Sequence, residues 1–297
     1  MRWTAIETSD FHAFGRFLNG EDIRPVLTQR RDLGFNLLRV WTRYILSPGI
    51  GTCRLEDHPD LYERLPAFLS LCARFGLYVE LTAFTGKHDF PLAEQPENLY
   101  RHWHALSGAV DATNVIVSLV NEQDQHNDDP QTGNAVPIDA FGPIPWLLCS
   151  HGSNGADHDT VRPFWNYGEY HSNGLSEWWR KNGHNAMELD PGPMICNEAT
   201  RCPDNDSNPD HYYDAAAGAA LLCAGSCFHS VNGKRSQLFE GIELACAKAH
   251  VAGAKSVPLE FQDGQYLHRS DLETPDLLRV YQRRLPDGRA HLVRIRT

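Results

Sequence analysis

No stretch of 18 uncharged apolar residues occurs anywhere in the 297-residue chain, so no segment reads as a membrane-spanning helix. The opening MRWTAIETSD lacks the apolar run of a signal peptide, and the expectation is a soluble protein, cytoplasmic or released without a classical leader. Positive charge is also scarce. Lys and Arg number 27 against 38 Asp and Glu, a formal net charge of -11. Such a surface repels polyanions, which argues against a nucleic-acid or anionic-membrane partner. Neither G-x-G-x-x-G nor G-x-x-x-x-G-K-[ST] is present, which removes the usual signature of a doubly wound nucleotide-binding sheet. H-E-x-x-H and C-x-x-C are missing too, and the one H-x-H, His102 and His104, falls in a helical pattern where residues two apart face different ways. Despite 15 histidines, no metal and no cofactor are expected. The eight cysteines are scattered, several within apolar runs, and read as small buried side chains of a reducing compartment.

What is present is an alternation. IRPVLTQRRDLG has helical spacing and stops at Gly34, and FNLLRVWTRY follows as a strand rich in β-formers. HPDLYERLPAFLSLCARFG places Leu61, Leu65, Phe68, Cys72 and Phe75 on one helical face and ends at Gly76, before the strand LYVELTAF. PENLYRHWHALSGAVDAT then leads to the strand NVIVSLV. Further strands are expected at WLLCSHGS, VRPFWNYGEYHS, PMICNEAT and SCFHS, and helices at LSEWWRKNGHNAMEL, DAAAGAALLCAG and QLFEGIELACAKAHVAGA. With RWTAIETS at the start, this makes eight strands. Apolar strands alternating with helices pair in parallel and are covered on both faces, and eight such units close a TIM (β/α)8 barrel of class α/β. The long polar stretch between Glu122 and Pro145 is expected to be a loop on the active face.

The tail differs. In LLRVYQRRLPDGRAHLVRIR, apolar residues alternate with arginine about Pro286, Asp287 and Gly288, the chemistry of a β-hairpin turn. The expected division is a barrel over 1–257 and a hairpin extension packed on it over 258–297. Arginines 279, 283, 284, 289, 294 and 296 are either an edge strand's protection against aggregation or a docking face for a protein partner.

A parallel barrel gathers the C-terminal ends of its strands at one mouth. Glu7 and Asp10 stand near the end of the first strand, Arg39 and Trp41 on the second, Asn121 and Glu122 after the fourth, His151 on the fifth, Tyr170 and His171 on the sixth, Asn197 and Glu198 at the seventh, and His229 on the eighth. Glu122 and Glu198 each follow an apolar strand and an asparagine, three strands apart. Two carboxylates facing each other across a mouth can divide glycoside hydrolysis between an acid/base and a nucleophile. Arg39, inside an apolar strand, requires a buried partner, because an unpaired charge there is costly.

NLLRVW, SLVNEQ and ICNEAT resemble the clan A glycoside hydrolases, the TIM-barrel group of cellulases, β-mannanases and β-galactosidases, over residues 1 to 257. The resemblance implies Glu122 as acid/base, Asn121 on the sugar 2-hydroxyl and Glu198 as nucleophile. It also implies Arg39 beside that nucleophile and Tyr170 and His171 as binding residues. Trp41, His151 and His229 complete the expected substrate-binding set. The departure is on the eighth strand, where many members carry a platform Trp and this chain has Phe228 and His229. The expected function is a retaining β-glycosidase on a carbohydrate substrate; the alternatives are a non-catalytic carbohydrate- or protein-binding barrel and a metal-dependent barrel hydrolase.

Overall fold

The computed structural model describes residues 3–42, 58–84, 101–102, 104–106, 108–109, 113–120, 148–152, 167–171, 194–197, 201–222, 225–274 and 277–296. Its strands are β1 (Ala5–Ser9), β2 (Leu37–Trp41), β3 (Tyr78–Phe84), β4 (Val115–Val120), β5 (Leu148–Gly152), β6 (Tyr167–His171), β7 (Met194–Asn197), the two-residue β8 (Arg201–Cys202) and β9 (Gly225–Ser230). β1 to β7 are neighbours in chain order, β7 pairs with β9, and β9 returns to β1 through Ala5↔Gly225 to Thr8↔Phe228. Every one of these pairings is parallel. The sheet is therefore a closed barrel, and β9 is the eighth strand expected from SCFHS.

Side chains alternate across a strand, so in a closed barrel one set meets the helices and the other fills the interior. Leu38, Val40, Val79, Leu81, Ala83, Val115 and Val117 pack outward on the helices α1 (Ala13–Leu18), α2 (Arg24–Leu33) and α3 (Leu61–Arg74), through residues such as Phe14, Leu27, Leu65 and Phe68. Ile6, Cys196 and Phe228 pack on α4 (Pro209–Leu222) and α6 (Gly241–Lys255), which are separated in the chain by the short α5 (Val231–Lys234). Inside, Ala5, Leu37 and Ile195 meet with Ile116 in a small apolar layer. The residues one step further along the same faces are polar.

Helix ends follow the local chemistry. α2 begins with a proline in its first turn and stops at Gly34, whose φ of 102° is a left-handed cap and whose N–H reaches Arg30 and Arg31 carbonyls. Arg30 leaves α2 to form a bidentate pair with Asp10 at 3.0 and 3.1 Å, with its guanidinium 3.4 Å from the centroid of Phe239. Asp10 thus ties a helix to the barrel and is not a mouth residue, contrary to its place among the strand-end candidates. Burial raises its carboxyl pKa and outweighs the opposing pull of Arg30. Two other elements depart from the sequence reading. α1 is absent from the elements expected above; its six residues are too few to show a helical period. β8 is shorter than any pattern can reveal. The segment Glu122–Pro145 and the helix expected at LSEWWRKNGHNAMEL lie outside the described residues.

The tail forms a three-stranded antiparallel sheet, β10 (Gln265–His268), β11 (Leu277–Arg284) and β12 (Ala290–Arg296). The expected hairpin is β11–β12, turning through Gly288 at φ 87°. Tyr281, Val293 and Ile295 enter the core shared by α4 and α6. Several hairpin arginines are occupied within the chain. Arg283 donates to the Leu221, Leu222 and Gly264 carbonyls at 3.0, 3.2 and 2.9 Å, capping the end of α4. Arg296 donates its backbone N–H to Asp214 at 3.0 Å, and Arg289 pairs with Asp287 and Glu260.

Two outcomes follow from this packing. At Gly225, whose φ is 151°, a Cβ would lie 2.0 Å from the Ala5 carbonyl oxygen at the closing seam. Gly225→Ala should cost about 3 kcal/mol or more, read as a lowered urea midpoint with an unchanged slope. Arg283→Ala, which releases the α4 carbonyls, should cost about 2 kcal/mol by the same measurement.

Candidate active site

Above the apolar layer the barrel interior turns polar by register alone. Ser9 pairs with Arg39 and Arg39 with Glu80, while Glu7 pairs with Cys227. Because inward residues fall two apart, Glu7 and Ser9 on β1, Arg39 and Trp41 on β2, Glu80 and Thr82 on β3, Ser118 on β4, and Cys227 and His229 on β9 share the inner surface. Glu7, Arg39 and Glu80 are each fully buried.

Arg39 Nε lies 3.3 Å from Glu80 Oε1. This is the buried partner that an arginine in an apolar strand requires, and Glu80 is the residue the sequence reading missed. Its signal was the same as that of Arg39: a single charge within the apolar run LYVELTAF. Glu7 stands apart from this ion pair. Neither of its carboxyl oxygens has a well-formed hydrogen bond, with the Cys227 thiol and the Glu80 carboxyl beside it. Burial, and then the negative charge of Glu80, push its pKa well above the ordinary carboxylate range, against the weaker pull of Arg39. Burial and the nearby Glu7 likewise hold the Cys227 thiol neutral, well above its usual pKa.

Toward the mouth the surroundings become aromatic and hydroxylic. Trp41 stacks on Phe11 with ring centroids 4.1 Å apart, and the Arg39 guanidinium lies 5.4 Å from the Phe11 centroid. His229 holds Ser9 Oγ through Nδ1 at 2.8 Å, and its ring is tilted against Phe11 at 5.7 Å. Thr42, just past β2, meets the His102 ring nitrogen Nε2 at 3.1 Å, while Tyr62 meets its Nδ1 at 2.7 Å. His102 is thereby a buried residue joining α3 to the end of β2.

The expected site residues divide accordingly. Arg39, Trp41 and His229 share the barrel interior. The backbones of His151, Tyr170 and His171 lie at the ends of β5 and β6, with Gly152 paired to Tyr170 and His171 to Asn197. Asn121, Glu122 and Glu198 lie outside the described residues; β4 ends at Val120 and β7 at Asn197. Among the described residues no three His, Cys, Asp or Glu side chains converge on a metal position, and no helix is long and apolar enough to cross a membrane.

No family model and no curated protein matches the chain. Solved structures do. A Bacteroides vulgatus ATCC 8482 protein assigned by inference as a glycoside hydrolase superposes over 96% of this chain with a TM-score of 0.64 at 14% identity. This chain spans 64% of that protein's length. A family 5 glycoside hydrolase from the same organism matches 96% of this chain and 74% of its own, with a TM-score of 0.58 and 12% identity. The endo-β-1,4-mannanase of Thermotoga petrophila matches 98% and 84%, with a TM-score of 0.53 and 11% identity. The closed parallel barrel and these superpositions agree: the chain has a (β/α)8-barrel fold, the fold it shares with these solved glycoside hydrolases.

Proposed function

We propose that the protein is a retaining glycosidase acting on β-linked sugars, with Glu198 as nucleophile and Glu122 as acid/base. The observation that carries this reading is the strand order. β4 and β7 run parallel in one closed barrel with β5 and β6 between them, so the chain leaves both at the same mouth, at Val120 and at Asn197. One residue separates Val120 from Glu122, and Glu198 follows Asn197 directly. The superposed glycoside hydrolases support the same assignment at the level of fold.

In this reading Glu198 attacks the anomeric carbon as the glycosidic bond breaks, and Glu122 protonates the departing oxygen. Glu122 then takes a proton from water, which displaces Glu198 and releases the sugar with its original configuration. Such a division requires carboxyl groups about 5 to 5.5 Å apart. Arg39 lies on β2 among these strands, where its positive charge favours an ionised nucleophile. Trp41 and His229 line the same interior as substrate-binding residues, with Asn121, His151, Tyr170 and His171 completing the set. His229 in place of a platform Trp leaves a polar ring on the eighth strand, which suits a hydrogen bond to a sugar hydroxyl over a stacking contact.

The test is hydrolysis of a panel of aryl β-glycosides and β-linked oligosaccharides by the wild type and by Glu198→Ala. Wild-type turnover with retained anomeric configuration is expected, falling roughly a thousandfold or more in the variant while its thermal unfolding is unchanged. Absence of turnover across the panel by the folded wild type would favour a barrel that binds carbohydrate or protein without cleaving it.

A further inference from the structure

We propose that Glu7 holds a proton at neutral pH and presents it to Glu80, so that one neutral and one ionised carboxyl lie beside the buried guanidinium of Arg39 beneath the mouth. On this account Glu7 is a positioning residue: its O–H keeps the Glu80 carboxylate turned toward Arg39, and through Glu80 it holds Arg39 in place. The inference rests on the glycosidase reading only for its effect on turnover.

The geometry leaves Glu7 little alternative. Its side chain is fully buried, and the apolar layer of Ala5, Leu37, Ile116 and Ile195 lies beneath it. The charged and titratable groups that face it among the described residues are Arg39 of β2 and Cys227 of β9, the two strands beside β1, and Glu80 of β3, one strand further on. Arg39 makes its described ion pair with Glu80, at 3.3 Å, and no cation stands within ion-pair distance of Glu7 among the described residues. The Cys227 thiol is itself held neutral and sits 3.3 Å from Ser9 Oγ, so it adds no positive charge. An ionised carboxylate in this place would be desolvated, unpaired and next to a second carboxylate. A carboxylic acid would instead donate to its neighbour, as two acids that share one proton do. The upward displacement of the Glu7 pKa agrees with that placement.

Two consequences separate this assignment from a merely filled interior. Gln reproduces a protonated Glu, since it keeps both the shape and a donor, whereas Leu keeps only the bulk. Stability must also depend on pH. The folded state holds a proton that the unfolded chain releases above the ordinary carboxylate range, so stability falls as pH rises from that range toward the folded pKa of Glu7.

The decisive experiment is carboxyl-carbon NMR of protein labelled with ¹³C at the glutamate side-chain carboxyl, which is silent to Asp10 and Asp214. The wild type should show a protonated glutamate at pH 7 that is missing in Glu7→Gln. A wild-type spectrum in which every glutamate is ionised at pH 7 overturns the proposal without recourse to any variant. Unfolding temperature should fall with rising pH more steeply in the wild type than in Glu7→Gln; parallel profiles would count against it. On a substrate found in the panel, Glu7→Gln should stay within about threefold of the wild-type kcat and Glu7→Leu should lose about tenfold or more at similar KM. Equal losses in both variants would mean that the wild type uses the charged form. The NMR and unfolding results stand even if no glycoside is cleaved, so failure of the glycosidase reading and failure of this one are told apart.

Discussion

A strand in a closed parallel barrel offers each side chain two destinations, the helical shell or the barrel interior, and neither is water. Every ionisable group written into such a strand must therefore be answered by another side chain or give up its charge. Arg39 on β2 is answered by Glu80 on β3 because the register pairs those two residues directly. The same constraint sorts the apolar residues: Leu38 and Val40 go outward to α1–α3, while Leu37 goes inward to the layer beneath the polar cluster. Fold and site are set by one parity rule.

Much of this order was legible beforehand. Helices α2 and α3 show their 3.6-residue period and their glycine stops at Gly34 and Gly76, and β2 to β4 are largely apolar runs that follow a helical pattern. The tail hairpin announced itself through Pro286, Asp287 and Gly288. Elements that depend on tertiary contacts were not legible. α1 gains its place from Phe14 packing on Phe68, a contact no local pattern contains. β10 becomes a strand because β11 is available to pair with it.

The site was legible in part, and for an analogous reason. The charge within NLLRVW declared that Arg39 needed a partner, but which residue supplied it depended on the β2–β3 register. Asp10 carried the same outward sign as Glu7, an acid near the end of β1. Its function differs because the chain turns after Ser9 and delivers it to Arg30 on α2. One-dimensional spacing identifies charged residues near a mouth; only closure of the barrel separates those that brace the wall from those that face the interior.

The three-stranded tail sheet also bears on how the chain acquires its structure during synthesis. Tyr281, Val293 and Ile295 are built into the same core as α4 and α6, which flank the closing strand β9. Until Ile295 has left the ribosome, the apolar faces of those two helices lack part of their cover. The shell beside β9 is thus completed only after the barrel strands have been made, and a chaperone acting on the nascent protein would find its hydrophobic target on α4 and α6.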